Sequence, residues 1–575
     1  ELVSEESRVA QIFNSYFANI LSTLDITYWN KIPPAVNDHS IIYVEYKNHP
    51  SILKIKESLN HNETFDFKHV EPKAVFDVIN KLKKGSGAMP IHILKLLKDT
   101  CSVYLTDCIN SWINNCIFPS TLKWTEIIPI FKNKGDTDNK ENYRPISILP
   151  TISKVFERIM FDQINSFIQN KFSKFLCGFR KGFSTQVPLT KLLQKWQQSL
   201  DKKEIIGTVL IDLSKAYDCI QHDLLLAKLE AYGFSKRALK FIHSYLKKRK
   251  HRIKIGSTFS KWLEINFGIP QGSILGPLLF NIFINDIFLF VEETNICNFA
   301  DDNTLYVSDS SVDRVIEKLK VDIVIINRWF SINSLVANPS KYQLMFLGLK
   351  QPEGNMSINI GKSTIMATNE VELLGVTIDK KLSFSSHIKK LCKYANNKLY
   401  AIIRMRKYLS IPQAKLLVNT YVLSYFSYCP LLWMFCYKKE ISLINRVHKR
   451  ALRTIYNNFT LELDELLVMN NSCSIHTKHL RTLMTEIYKS LRKENPELLW
   501  NIFESKCTQY NLRNKMLINL PKAESTTFGT NSLAFKGSLI WNTLPNFIKA
   551  SPTQSIFLKR IKTWNGENCT CKICR

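Results

Sequence analysis

Between about residues 111 and 380, short β-rich runs alternate with amphipathic helical stretches, and that alternation restricts the chain to few architectures. The runs are TEIIPIF, then EIIGTVLIDL followed by the helical LLLAKLEAYGF, then HRIKIG, NICNFA, TLYVS, YQLMFLG and ELLGVTI. Short strands separated by helices and turn residues predict an α/β or α+β core around a mostly antiparallel set of hairpins. On the N-terminal side, SRVAQIFNSYFANIL and PKAVFDVINKLKK repeat apolar residues at helical spacing, the second followed by the loop GSGAMP. On the C-terminal side, HIKKLCKYANNKLYAIIRMRKYL and EISLINRVHKRALRTIY set many Lys and Arg opposite an apolar face. A basic face can simply be solvated, but two in succession beside the β-rich region favour a nucleic-acid groove.

Charge points the same way. Lys and Arg number 78 against 49 Asp and Glu, a net charge of +29 spread over all 575 residues. Such a surface tracks phosphates over a long path, and it excludes an acidic solvating chain. A hydrophobic share of 45% fills several cores, so more than one domain is expected. The 14 Cys show no regular spacing before the extreme C-terminus, which fits reduced thiols in the nucleus and cytoplasm better than a disulfide framework. ELVSEESRVA lacks a basic-then-apolar order, so no signal peptide is expected, and the absence of an initial Met fits a piece of a longer protein. The uncharged run TYVLSYFSYCPLLWMFCY (420 to 437) is long enough for a membrane span, but Pro430 and its many hydroxyl and aromatic groups predict a buried helix pair with a turn.

Three carboxylates then stand out. NFADDNTLYV (298 to 307) puts Asp301 and Asp302 side by side between strand-forming runs. A solvated turn explains them, and so does a hairpin tip offering both to a divalent cation. TVLIDLSKAYD (208 to 218) ends an apolar strand in Asp212, which suits either a helix cap or a third ligand. Three such carboxylates on neighbouring strands would hold two Mg²⁺ roughly 3.5–4 Å apart, the geometry of phosphoryl and nucleotidyl transfer. Between the two sites, NFGIPQGSILGPLLFNIFIND (266 to 286) has glycines at 268, 272 and 276 that permit close approach to a flat ligand, and then a core helix.

At this point the chain resembles the reverse transcriptases of non-LTR retrotransposons, most closely the jockey-like and chicken-repeat-like LINE elements. IIPIFKNKGD, NYRPISILPTISKVFERI and LCGFRKGFST resemble fingers motifs. LIDLSKAYD, GIPQGSILGPLLF and FADD resemble the central palm motifs, and NSLVANPSKYQLMFLG and ELLGVTIDKKLSFSSHI the palm and primer-grip segments that follow. The order of motifs, from FNSYFANI to the end, is more specific than any one of them. The resemblance implies an α+β right-hand polymerase of fingers, palm and thumb, with helical extensions. The expected division is a helical extension over 1–110, fingers and palm over 111–380, a basic helical thumb over 381–465 and a C-terminal domain over 466–575. It implies that Asp212, Asp301 and Asp302 are catalytic and hold Mg²⁺, with Mn²⁺ an alternative ion. Tyr217 falls on the aromatic beneath the incoming sugar, and Gln271 and Gly272 on the segment lining the templating pair and nucleotide pocket. Lys341 matches a general acid for pyrophosphate, and Lys132, Arg144 and Arg180 match fingers cations suited to a triphosphate. RNA template, DNA primer or target and deoxyribonucleoside triphosphates are the implied partners, with an endonuclease supplied upstream of residue 1 or in trans.

Family members usually carry an acidic residue where this chain has Gly87, Ala88 and Met89. At the other end, Cys569, Cys571 and Cys574 have C-x-C-x-x-C spacing that could ligate Zn²⁺, although a closed site needs a fourth ligand. The His residues of CSIHTKHLR (473 to 481) are expected on a solvated helix. The reading that follows is an RNA-directed DNA polymerase; a catalytically silent RNA-binding remnant is the alternative. An RNA-dependent RNA polymerase also uses paired aspartates, but Tyr217 and the FADD context argue against it.

Overall fold

The computed structural model describes residues 5–19, 46–59, 63–83, 90–349, 356–360, 363–506 and 516–566. The loop GSGAMP and the cysteines at 569, 571 and 574 thus lie wholly or mostly outside the described residues. The class is α+β, as expected. The chain divides into two compact units, one made of 1–179, 212–292 and 323–338, the other of 180–211, 293–322 and 339–575.

In the first unit a sheet is built on the strand Trp124–Phe131, which pairs antiparallel with Tyr143–Ile148 and parallel with Arg249–Ile255. The short strands Thr258–Phe259 and Leu263–Ile265 both pair with Arg249–Ile255. The sheet is covered by the first amphipathic helix, Glu6–Ala18, whose Ala10, Phe13, Tyr16 and Phe17 pack with Ile127 and Ile253. Helices Thr151–Ile168, His222–Ala231, Lys236–Leu246 and Gly276–Ile284 supply the rest of the core. One ion pair is wholly buried there. Lys228 Nζ lies 2.5 Å from Asp286 Oδ1, and the Trp329 indole N–H donates to Asp286 Oδ2 at 2.8 Å.

In the second unit four antiparallel strands run in the order Gln343–Leu347, Ile205–Ile211, Asp302–Asp309, Asn295–Phe299. The strand Ile205–Ile211 lies inside the sheet and is buried on both faces, which is why its sequence is an apolar run rather than an alternation. Its one hydroxyl is satisfied because Thr208 Oγ1 donates to Leu305 O at 3.0 Å. Two hairpins, Ser357–Ile360 with Ser363–Met366 and Glu370–Leu373 with Val376–Asp379, lead into the basic helices Ser385–Met405 and Lys438–Tyr456.

The run 420 to 437 is broken as expected. The helix Ile411–Tyr421 ends near its start, a 3₁₀ turn follows over Leu423–Ser427, and Cys429 adopts φ 45° before the short helix Pro430–Trp433. Among the described residues no helix is long and apolar enough to cross a membrane. The expectation for CSIHTKHLR needs correction. His476 and His479 are buried on the helix Ile475–Leu491, and the His479 ring pairs with Phe426 O at 2.7 Å. Burial lowers His479 to about 4, so the ring is a neutral core group.

Candidate active site

The paired aspartates sit at the tip of a hairpin. Phe299 pairs with Asp302, so only Ala300 and Asp301 form the turn. Two-residue hairpins demand unusual backbone angles, and Ala300 accordingly has φ 58°, a conformation that costs a residue with a Cβ on the order of 1 kcal/mol. Two buried asparagines hold it. Asn298 Nδ2 donates to Ala300 O at 2.6 Å and to Asn303 Oδ1 at 3.0 Å, and Asn303 Nδ2 donates to Asp301 O at 3.2 Å. Asn298 is 0% exposed and Asn303 1%, whereas Asp301 is exposed and Asp302 half-buried. A rigid base thus presents two carboxylates outward. Neither asparagine figured among the expected site residues, although their positions, five apart across the turn, follow from a two-residue hairpin in NFADDN.

Asp212 is the next residue after Ile211, which ends its strand paired with Asn303, the residue after Asp302. It is half-buried and caps no helix: a two-residue strand, Leu213–Ser214, follows it.

Tyr217 belongs to the 3₁₀ turn Ala216–Cys219. Its ring stacks on Phe280 with centroids 4.5 Å apart and planes 8° from parallel, and meets the edge of Phe179 at 6.0 Å. The turn is bolted to the glycine loop by backbone bonds: Ile269 N donates to Tyr217 O at 3.0 Å and Gly268 N to Ile220 O at 2.9 Å. Gly268 and Gly272 also let other parts of the protein approach their backbone closely. A Cβ on Gly268 would meet Asp218 Cα at 2.9 Å, and one on Gly272 would meet Ser147 O at 2.6 Å; both have positive φ, 75° and 121°.

Gln271 is fixed from two sides. Its carbonyl accepts from Ser147 N at 2.7 Å, and its Nε2 donates to both Asp218 oxygens at 3.1 Å. Burial pushes the Asp218 carboxyl up to about 6, against the Gln271 hydrogen bonds and the Lys215 and Lys132 charges that draw it down. Asp218 is a third residue that motif reading passed over, and its place one position after Tyr217 gave no signal of its partner.

The cations are dispersed. Lys132 follows the strand Trp124–Phe131 and donates through Nζ to Glu141 O at 2.7 Å; Arg144 is exposed on Tyr143–Ile148. Both belong to the first unit. Arg180, in the second, places its guanidinium 4.6 Å from the Phe183 ring centroid. Lys341 is exposed at the end of the 3₁₀ turn Pro339–Lys341, two residues before the strand Gln343–Leu347.

Among the described residues no group of three or more His, Cys, Asp or Glu side chains stands close enough together to hold a metal ion. The donor chemistry at the hairpin tip still suits a hard divalent cation, since carboxylate oxygen is what Mg²⁺ takes.

Residues 131–378 match the family model described as reverse transcriptase (RNA-dependent DNA polymerase). The chain is 26% identical over 389 residues to the probable RNA-directed DNA polymerase from transposon BS of Drosophila melanogaster, covering 65% of this chain and 43% of that protein. It is 28% identical over 331 residues to the RNA-directed DNA polymerase from mobile element jockey of Drosophila funebris, covering 55% of this chain and 36% of that protein. The probable RNA-directed DNA polymerase from transposon X-element of Drosophila melanogaster is 25% identical over 400 residues, 67% of this chain and 44% of that protein. The chain therefore spans less than half the length of these curated relatives. Reverse transcriptases generally use divalent metal ions, which agrees with carboxylates at an exposed turn. Over residues 131–378 the chain is thus similar to reverse transcriptases, and the relatives it matches are RNA-directed DNA polymerases of mobile elements.

Proposed function

We propose that the chain is an RNA-directed DNA polymerase that copies element RNA from a DNA 3′-hydroxyl in target-primed reverse transcription. The observation that carries this reading is the braced hairpin tip, which holds Asp301 and Asp302 outward beside the strand end that leads into Asp212. In this reading the three carboxylates are the ligands of Mg²⁺, or of Mn²⁺ in its place. Held by these carboxylates, such ions would supply the positive charge that makes a hydroxyl a better nucleophile and a pyrophosphate a better leaving group. Tyr217 lies under the incoming sugar, where its ring, backed by Phe280, takes the volume of a 2′-hydroxyl. Gln271, clamped by Asp218 and Ser147, lines the nucleotide pocket with Gly272. Lys132, Arg144 and Arg180 receive the triphosphate, and Lys341 donates a proton to pyrophosphate.

The same proposal includes an endonuclease upstream or in trans, residence in nucleus and cytoplasm, Zn²⁺ on Cys569, Cys571 and Cys574, and the division at 110, 380 and 465. Primer extension on an RNA template with a DNA primer and each nucleotide set tests the polymerase. Extension with deoxyribonucleotides that Asp301→Asn removes, while RNA binding survives, supports it. RNA binding without extension in the unaltered protein would identify a silent remnant, and extension by ribonucleotides alone an RNA polymerase.

A further inference from the structure

The first unit holds a partly open cavity of about 70 Å³ between its sheet and the glycine loop, lined by Thr125, Asp218, His222, Arg249, His251 and Gln271 together with Ser147 and apolar side chains. Arg249 is 3% exposed, as are Thr125 and His222. Arg249 Nη1 donates to Tyr245 O at 3.1 Å. Its Nε and Nη2 have no hydrogen-bond partner among the described residues, and neither has Thr125 Oγ1 or His222 Nδ1. His251, on the same wall, adds Nδ1 and Nε2, and six buried polar atoms lacking partners among the described residues on the walls of one cavity are far from the usual satisfaction of protein interiors.

Their chemistry specifies a guest. Nε and Nη2 form the side edge of the guanidinium, the fork that takes two oxygens of a tetrahedral or planar oxyanion at once. Waters could satisfy those hydrogen bonds, and about 70 Å³ has room for roughly five. They would supply no charge of their own, and neither neighbouring carboxyl is a full counter-ion: Glu157 is pushed by burial toward its protonated form, and Asp218 is raised to about 6 and bonded to Gln271. His222 adds a second condition. Its Nε2 lies 2.8 Å from Gly268 O, and since a carbonyl only accepts, that nitrogen carries the hydrogen. Burial lowers the ring to about 4, so at neutral pH Nδ1 is a bare acceptor that needs a donor. The Asp218 carboxylate on the same wall disfavours an oxyanion that has lost every proton.

We propose that this cavity is a phosphate site, in which two oxygens of a hydrogen phosphate group lie on the Nε/Nη2 edge of Arg249 while its P–OH donates to His222 Nδ1 and Thr125 Oγ1 completes the ring of contacts. The group comes either from the free ion or from the 5′ end of a nucleic-acid strand. A phosphodiester has no P–OH and does not meet the His222 requirement.

Thermal unfolding of the full chain at pH 6 and fixed ionic strength tests the site. Phosphate raises Tm saturably, and sulfate, the same size without a proton at that pH, binds on the order of ten-fold more weakly or worse. Arg249→Gln abolishes the phosphate response, and Thr125→Val weakens it. A 5′-phosphorylated oligonucleotide that competes with phosphate where its 5′-hydroxyl counterpart does not identifies a strand end as the source; failure of both to compete identifies the free ion. Equal effects of phosphate and sulfate on the unaltered protein overturn the proposal, and so does an undiminished phosphate response in Arg249→Gln. Should that variant not fold, Thr125→Val and the phosphate-to-sulfate ratio decide without it.

Discussion

Asp286 and Asp301 each follow a run of apolar residues, LLFNIFIN in one case and NICNFA in the other, and they have opposite fates. Asp286 is 0% exposed, paired with Lys228 and bonded to the Trp329 indole. Asp301 is exposed at a turn whose backbone, rather than its carboxylate, the asparagines hold. A carboxylate answered by a buried cation serves the core. One lifted into solvent on a rigid turn is available to something from outside. The distinction lies in what faces the carboxylate, and the apolar run before it is the same signal in both.

The comparison fails if the two residues can exchange behaviours. Asp301→Asn is expected to reduce primer extension by roughly 10⁴-fold or more, about 5.5 kcal/mol of barrier, with urea unfolding and RNA binding unchanged. A fall in stability that parallels the loss of activity would make Asp301 structural. Asp286→Ala does the converse: stranding Lys228 without a partner costs about 3–5 kcal/mol, read as a lower urea midpoint, while extension per folded molecule persists.

Between those extremes, Asn298→Ala removes the donor to Ala300 O and Asn303 and costs about 1–3 kcal/mol. It should raise the Mg²⁺ concentration for half-maximal extension, and an unchanged Mg²⁺ requirement would reduce the asparagine pair to ordinary core filling. Tyr217→Val is expected to raise ribonucleotide incorporation on the order of ten-fold, ~1.4 kcal/mol of discrimination, with Tyr217→Phe near the unaltered protein. A flat ribo-to-deoxyribonucleotide ratio across all three would leave Tyr217 as a partner of Phe280 and nothing more.

The smallest effect concerns the basic helices. Lys449 is paired with Glu462, Arg450 donates to the Tyr400 hydroxyl at 3.0 Å, and Lys390 donates to Thr377 Oγ1 at 3.0 Å. Lys389 is exposed. On duplex DNA, Lys389→Ala should flatten the slope of log affinity against log salt by about one unit, and Lys449→Ala by less. Equal slopes in the two variants would mean that the Glu462 pairing does not compete with phosphate.

Much of this was legible in the residues. The buried strand Ile205–Ile211 reads directly from its apolar run, the hairpin from NFADDN, and the helix Glu6–Ala18 from its spacing. The parts that were not legible all depend on a partner distant in sequence. His476 and His479 look solvated until Phe426 O is placed against one of them. That Asp218 and Ser147 pack against Gly268 and Gly272 cannot be read from the glycines alone. Asp218 is an unremarked end to LIDLSKAYD until Gln271 arrives from 53 residues away.

The chain path has a further consequence for how such a molecule is made. The first compact unit is interrupted twice and receives its last segment, 323–338, only after two stretches of the second unit have been laid down. A nascent chain leaving the ribosome therefore cannot finish one unit before starting the other. The strand Ile205–Ile211 emerges roughly a hundred residues before its neighbour Asp302–Asp309 and further still before Gln343–Leu347, and an apolar strand without partners is an aggregation hazard while it waits. At about 5–20 residues per second that wait lasts roughly 5–20 seconds. A ribosome stalled, or a message cut, between residues 211 and 302 would release a chain whose most apolar strand has no sheet to join.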